Sequence, residues 1–260
     1  MKKEYILFID SGIGGLTTLA ETTKILNANY IYFADSIHAP YGSHSATRLL
    51  KFLREIIENV LKTHKICMIV LACNTATASC VEILREIYPK IPIIGTEPAL
   101  KIAVSASYER ILALTTPTTA KQTKYLRLKQ HLNSNITELT LPNLAKNVEF
   151  YLLTNSFLSR LNLYKNLCQI MQSLNHFDCI VLGCTHYVFL KEIISNLSGK
   201  IAIDGNYGVA CQVAKIHQNN HLKTTQKPHV IFMNSNPTNF ANQNYKKILS
   251  QILAKLQKLC

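Results

Sequence analysis

The chain has 260 residues, of which 48% are apolar and 17% are charged, so it can fold as one large domain or two modest ones. This composition excludes a disordered chain, and no stretch reaches the roughly 20 uncharged apolar residues that a membrane helix needs. The first apolar run ends at Asp10 and is too short for the apolar region of a signal peptide. We therefore expect a cytosolic protein without membrane partners.

The charge balance is strongly basic, with 28 Lys and Arg residues against 15 Asp and Glu residues and a formal charge of +13. The basic residues are scattered, and none of them form the dense runs typical of nucleic-acid binding. A diffuse positive field favours an anionic small-molecule substrate, and no nucleic-acid site is predicted.

Eight cysteines are present, and no two are spaced as CxxC, so neither a zinc ribbon nor a thioredoxin-like redox pair is predicted. Structural disulfides are not expected in a cytosolic chain. Most of these thiols are therefore interpreted as small buried side chains. The cysteines are Cys67, Cys73, Cys80, Cys168, Cys179, Cys184, Cys211 and Cys260.

Short apolar runs alternate with stretches of helical periodicity along most of the chain. Continuous apolar runs are typical of strands buried on both faces, and strand followed by helix, repeated, predicts α/β domains with mainly parallel sheets. Two main stretches depart from this rhythm: 131–176 is interpreted as largely polar and helical, and 217–229 as a surface loop. The predicted strands are 5–9, 30–34, 67–72, 91–95, 111–115, 179–183, 201–203 and 230–233.

One pattern occurs twice: IVLACNTAT at 69–77 and IVLGCTHYV at 180–188. Each copy predicts a buried strand, a small residue, a cysteine and then a polar pair at the start of a helix. In open α/β sheets ligands bind at the carboxyl ends of the strands, which is where Cys73 and Cys184 are expected. Asp10, Ser11 and a glycine-rich turn follow the first predicted strand, so they too are expected at the carboxyl end of a strand.

A thiol at a helix N-terminus is favoured in its thiolate form, so both cysteines are candidate bases. Two equivalent thiols suit a symmetric reaction, in which one removes a proton from a carbon and the other donates one to the opposite face. Plainer interpretations remain open: buried structural cysteines, Asp10 as a helix cap, and His186 as a structural histidine. The glycine-rich turn SGIGG at 11–15 lacks the GxGxxG spacing of a nucleotide-binding loop. We favour a turn whose backbone approaches a carboxylate.

These motifs together resemble glutamate racemases of the cofactor-independent aspartate/glutamate racemase superfamily. The resemblance rests on DSGIGGL at 10–16, ADSIHAPYGS at 34–43, ACNTAT at 72–77 and LGCTHY at 182–187. IPIIGTEPALK at 91–101, the threonines and tyrosine between Thr116 and Tyr125, and NPTNF at 236–240 match more loosely. In this order the motifs span nearly the whole chain.

The resemblance implies two similar three-layer α/β domains, residues 1–95 with 211–260 and residues 96–210, with the active site in the cleft between them. It implies Cys73 acting on the D-enantiomer with help from Asp10, and Cys184 acting on the L-enantiomer with help from His186 and Glu149. It implies no cofactor and no metal, a product D-glutamate for peptidoglycan, and often a homodimer. The implied substrate-binding residues are Ser11, Tyr41, Gly42, Asn74, Thr75, Thr116, Thr119 and Thr185.

The chain departs from the family pattern at three places. Leu141-Pro142 stands where the family has Cys-Pro, ahead of the Val-Glu pair that we place at Val148 and Glu149. Gln122 stands where the family has a serine. Asp204-Gly205-Asn206 stands where the family has Asp-Ser-Gly. An aspartate racemase is the main rival, because the cysteine pair is shared, and the 34–43 and 73–77 segments favour glutamate. A binding protein on an inactive scaffold and a thiol-redox protein are further alternatives.

Overall fold

The computed structural model of the chain describes residues 3–132, 134–171, 174–226, 228–236 and 239–257, without the side chains of 239–243 and 255–257. Cys260 and part of the 236–240 motif lie outside the described residues. The chain divides into two compact units: unit 1 comprises Met1–Thr96 and Asn206–Cys260, and unit 2 comprises Glu97–Gly205. The predicted domain boundaries at 95 and 210 fall near these two divisions. No helix among the described residues is both long and apolar enough to span a membrane.

Unit 1 is built on a five-stranded sheet, as far as the described residues show, with the order β4-β3-β1-β2-β9 and every neighbouring pair parallel. Two short 3-10 helices, Ser36–His38 and Tyr41–Ser43, follow β2. The strands are β1 (Glu4–Asp10), β2 (Asn29–Ala34), β3 (Lys65–Leu71), β4 (Ile93–Gly95) and β9 (His229–Asn234). The helices are α1 (Leu16–Ile25), α2 (Ala46–Thr63), α3 (Asn74–Ile87), α10 (Asn206–Asn219) and α11 (Asn239–Gln257).

Unit 2 contains a second sheet, in which the described strands are all parallel in the order β6-β5-β7-β8. A 3-10 helix, Thr185–Leu190, follows β7. The strands are β5 (Arg110–Thr115), β6 (Asn135–Thr140), β7 (Cys179–Gly183) and β8 (Ile201–Ile203). The helices are α4 (Leu100–Ser105), α5 (Pro117–Lys121), α6 (Thr123–Leu132), α7 (Leu144–Thr154), α8 (Phe157–Met171) and α9 (Lys191–Ser198).

The central strands are buried on both faces, which explains their continuous apolar sequences. In β1 every residue from Tyr5 to Asp10 is buried, and in β7 all five residues are buried. Helix α2 packs one apolar face, with Leu49, Leu53 and Ile57, into the same core as β1 and β3. The prediction of an α/β protein with two parallel-sheet domains is thus confirmed.

Two local predictions need correction. The stretch 131–176 is predicted to be largely polar and helical, and it does contain α7 and α8, but it also contains strand β6, in which only Ile136 is buried. An edge strand pairs on one side only and tolerates polar residues, so its sequence lacks the apolar run that marks the central strands. The interpreted loop at 217–229 begins too early, because α10 continues to Asn219 and buries His217.

Candidate active site

Each unit places one of the repeated cysteines directly after a central strand. Cys73 follows β3 by two residues and Cys184 follows β7 directly, and each thiol residue is buried, with 7% of its surface exposed. Their backbones are alike, with φ and ψ of −137° and 121° at Cys73 and −143° and 136° at Cys184. The sequence repeat therefore corresponds to a repeat in local backbone geometry.

The carboxylate of Asp10 is bound by the turn that follows it. Its Oδ1 accepts a hydrogen bond from the Ser11 backbone N–H at 2.6 Å, and its Oδ2 accepts one from the Gly15 N–H. Gly15 is the N-cap residue of α1, so Asp10 is bonded to the residue at the helix start but is not itself the cap. The backbone of the glycine turn thus holds the Asp10 carboxylate.

Asp10 and Cys73 lie at neighbouring strand ends. Strands β1 and β3 pair with Ile9 opposite Leu71, and the Ala72 N–H donates to the Ile9 carbonyl at 2.8 Å. An added Cβ on Gly15 would stand 2.7 Å from Ala72 Cβ and 3.0 Å from Asp10 Oδ2, so glycine is required for this close approach. The turn brings the Asp10 carboxylate beside the residue that precedes the thiol.

The polar residues after Cys73 begin a regular helix. Asn74 and Thr75 are the first two residues of α3 and both are buried. The side-chain oxygen of Asn74 has no hydrogen-bond partner among the described residues. Buried acceptors are normally paired, so this oxygen is suited to a donor on a bound molecule.

The segment after β2 adds Tyr41 and Gly42 to the same unit. Tyr41 is buried in one apolar cluster with Cys73, whereas Gly42 is exposed. Burial first, and then the negative charge of Asp35 and the hydrogen bond to it, raise the pKa of Tyr41 well above its usual value. Asp35 was not singled out from sequence, although the quoted 34–43 motif contains it; a lone acidic residue after a strand carries no distinguishing pattern.

In unit 2 a histidine and a carboxylate accompany the second thiol. His186 Nε2 lies 2.7 Å from Glu149 Oε2, and the His186 side chain also hydrogen-bonds that of Cys184. Burial lowers the pKa of His186, but the interactions with Cys184 and Glu149 outweigh it and raise that pKa well above its usual value. His186 is thus a buried histidine between the side chains of Cys184 and Glu149.

The threonines of unit 2 line the neighbouring strand end. Strands β5 and β7 pair with Thr115 opposite Gly183, so Thr116 follows at the level of Cys184. Thr116 is the N-cap of α5, and its Oγ1 accepts the Thr119 N–H at 3.2 Å and lies 2.9 Å from Thr119 Oγ1. Thr185 is buried at the start of the 3-10 helix.

Tyr187 is a supporting residue that sequence reasoning missed. Its hydroxyl donates to the Leu141 carbonyl at 2.9 Å, and the Leu141 N–H donates to the Thr115 carbonyl at 3.1 Å. These bonds tie the segment before α7 to the Cys184 strand end and so help to place Glu149. The departure at Leu141-Pro142 is thus accommodated through backbone groups, which do not depend on the side chain at that position.

The structure therefore divides the predicted site residues between the units. Cys73, Asp10, Ser11, Tyr41, Gly42, Asn74 and Thr75 belong to unit 1, and Cys184, His186, Glu149, Thr116, Thr119 and Thr185 to unit 2. Within the described ranges, no three His, Cys, Asp or Glu side chains are grouped so as to hold a metal ion.

The structure thus defines a protein of two α/β units, each with a parallel sheet and a buried cysteine after a central strand. The family model described as Asp/Glu/Hydantoin racemase matches residues 16–213, and the chain belongs to this family.

Known members of similar sequence are glutamate racemases. The chain is 35% identical over 256 residues to that of Clostridium botulinum (95% of this chain, 98% of the relative) and 38% identical over 227 residues to that of Clostridium novyi (85% and 86%). The crystal structure of glutamate racemase isoform RacE1 from Bacillus anthracis superposes with a TM-score of 0.82 at 25% identity, covering 98% of this chain and 95% of that one.

Proposed function

We propose that this protein is a glutamate racemase that interconverts L- and D-glutamate without a cofactor, using Cys73 and Cys184 as its two acid–base groups. The observation that carries the proposal is that each unit holds a buried cysteine after a central strand: Asp10 ends the strand paired with that of Cys73, and His186 interacts with Cys184. The similarity to glutamate racemases over nearly the full chain supports glutamate as the substrate.

The proposed reaction is a proton exchange at Cα on two faces. Starting from L-glutamate, the Cys184 thiolate removes the Cα proton and becomes a thiol, leaving a carbanion. The Cys73 thiol then donates its proton to the other face, which gives D-glutamate and a Cys73 thiolate. The reverse reaction starts from that state, so the two cysteines exchange protonation states at each turnover.

The companions of the thiols have different proposed roles because their charges differ. The raised pKa of His186 favours the cationic form of this histidine, which we propose assists proton transfer at Cys184. Asp10 is negative and held by backbone N–H groups, so it would orient Cys73 and the substrate ammonium rather than favour a thiolate.

The Cα proton of an amino acid is very weakly acidic, so the site must stabilise the charge that develops on the carboxylate side of the carbanion. Hydroxyls and backbone N–H groups are the groups suited to this, and the buried Asn74 oxygen is suited to accept from the substrate ammonium. The proposed binding groups are those of Ser11, Tyr41, Gly42, Asn74, Thr75, Thr116, Thr119 and Thr185.

The first test is chiral chromatography of L-glutamate and, separately, L-aspartate after incubation with the purified chain and no added cofactor. The expected result is conversion of L-glutamate to a racemic mixture. Conversion of aspartate alone would replace the proposal by an aspartate racemase, and conversion of neither would favour a binding protein on an inactive scaffold.

The biological setting that we propose is the supply of D-glutamate for peptidoglycan in the cytoplasm, by a homodimer. Depletion of the protein in its host should then stop growth unless D-glutamate is supplied.

Light scattering of the purified chain tests whether it forms the proposed homodimer.

A further inference from the structure

Asp35 carries a carboxylate that is fully buried in unit 1, in the turn after β2. A buried carboxylate is costly unless donors compensate its charge. Here Oδ2 accepts a hydrogen bond from the Tyr41 hydroxyl at 2.9 Å, and Oδ1 lies 2.9 Å from His38 Nδ1. Both partners come from the six residues that follow Asp35 in the chain, so the carboxylate organises its own segment.

The histidine partner is itself fixed against α2. The His38 ring stacks on Phe52, with ring centroids 3.6 Å apart and an interplanar angle of 13°. His44 packs edge-on against the same phenylalanine, and its Nε2 lies 2.9 Å from the His38 carbonyl oxygen. The segment from Asp35 to His44 is therefore attached at both ends.

The tyrosine partner connects this segment to the candidate active site. The Tyr41 side chain is buried in the cluster that also contains Cys73, and its only hydroxyl hydrogen is donated to Asp35. A phenol has one hydrogen to donate, so this hydroxyl cannot also donate to a substrate carboxylate. The side chain of Tyr41 thus serves as an anchor, and the short 3-10 turn Tyr41–Ser43 is what it holds in place.

We propose that Asp35 is a positioning residue for substrate binding, acting through the Tyr41 hydroxyl to fix the Tyr41–Ser43 turn. The inference rests on the proposed function, because the turn carries two of the residues proposed to bind glutamate. Asp35 does not touch the reacting atoms, and its loss is expected to weaken binding rather than proton transfer.

The test is a double-mutant cycle with Asp35→Ala, Tyr41→Phe and the double variant, measured as KM and kcat for both enantiomers. A hydrogen bond to a charged group contributes about 1.5–3 kcal/mol, so each single change should raise KM roughly tenfold or more, with much less effect on kcat. The double variant should be no worse than the more impaired single variant, because both changes break the same contact between Asp35 and Tyr41. Asp35→Asn should restore part of the loss, since its amide oxygen can still accept from Tyr41.

The matched control is Asp178→Ala, which removes a carboxylate bound by Arg110 at the opposite end of strand β7. It should leave KM and kcat unchanged. If Asp35→Ala does not fold, as thermal unfolding would show, Tyr41→Phe and Asp35→Asn still test the contact. Unchanged KM in the folded variants, or effects that multiply in the double variant, would overturn the positioning role. An inactive wild-type chain would overturn the proposed function together with this inference.

Discussion

The two cysteine sites have the same backbone conformation but different neighbouring side chains. Cys73 and Cys184 have nearly equal φ and ψ after buried strands, but the neighbouring strand of Cys73 ends in a carboxylate held by backbone N–H groups, whereas Cys184 is followed by a histidine bonded to a carboxylate. A full helix follows Cys73 and a 3-10 turn follows Cys184. The comparison indicates that a parallel sheet repeats the position of a thiol easily, while the polar residues around it come from elements particular to each unit.

The largest expected effect tests whether both thiols are required. Cys73→Ala and Cys184→Ala should each lower the rate of racemisation by about a thousandfold or more, because each removes one acid–base group. Exchange of the Cα proton with solvent should persist in part for the enantiomer whose cysteine remains, which is L-glutamate in Cys73→Ala and D-glutamate in Cys184→Ala. Chiral chromatography and proton NMR in deuterated water measure the two rates.

The matched control for these variants is Cys80→Ala, a buried cysteine of α3 whose burial raises its pKa to about 12. It should retain the wild-type rate. Near-parent racemisation by either of the first two variants would contradict the two-thiol scheme.

The second prediction assigns a companion to each thiol. His186→Asn should lower kcat/KM by about a hundredfold, equally in both directions because the enantiomers have equal free energies. The slowed step is the one at Cys184, so the deuterium isotope effect should rise for [2-²H]-L-glutamate. Asp10→Asn should instead raise the deuterium isotope effect for [2-²H]-D-glutamate.

Initial rates of both variants with each deuterated enantiomer give the deuterium isotope effects and so test this crossed pattern directly. The same isotope pattern in the two variants would show that the companions are not divided between the thiols. Glu149→Gln should behave as a weaker form of His186→Asn, because it acts on Cys184 through the histidine.

The third prediction concerns the small residue before each cysteine. At Gly183 an added Cβ would lie 2.7 Å from Thr115 Cγ2 and 2.8 Å from the Leu114 carbonyl oxygen, whereas unit 1 already has Ala72 at this position. Gly183→Ala should therefore lower the free energy of unfolding by about 1–3 kcal/mol. Thr115→Ser in the same chain should recover part of the loss by removing Cγ2. Urea denaturation measures both, and an unchanged midpoint for Gly183→Ala would contradict the packing argument.

The smallest expected effect is a pH dependence of stability that belongs to unit 2. The folded pKa of His186 is raised, so its protonation stabilises the fold fully below the unfolded pKa of about 6.5 and this contribution is lost as pH rises through the folded value. The difference in Tm between the wild type and His186→Asn should therefore be largest at acidic pH and shrink in alkaline buffer. A difference that grows with pH would show that the histidine is neutral in the folded chain.

The sequence by itself determined the class of fold and the two thiols. Continuous apolar runs indicate buried parallel strands, and a cysteine after such a run must lie at a strand end, so Cys73 and Cys184 could be recognised without coordinates. The family resemblance likewise indicated Asp10 and His186, because they stand in the motifs DSGIGGL and LGCTHY.

Only the tertiary structure decided the partners that come from distant segments. The contact of Glu149 with His186 depends on how α7 packs, the strand at β6 on pairing with β5, and the burial of Asp35 on donors supplied by Tyr41 and His38. Local periodicity reports which side of an element is apolar, but it does not specify which polar atoms meet across elements. Those contacts form only when the elements pack.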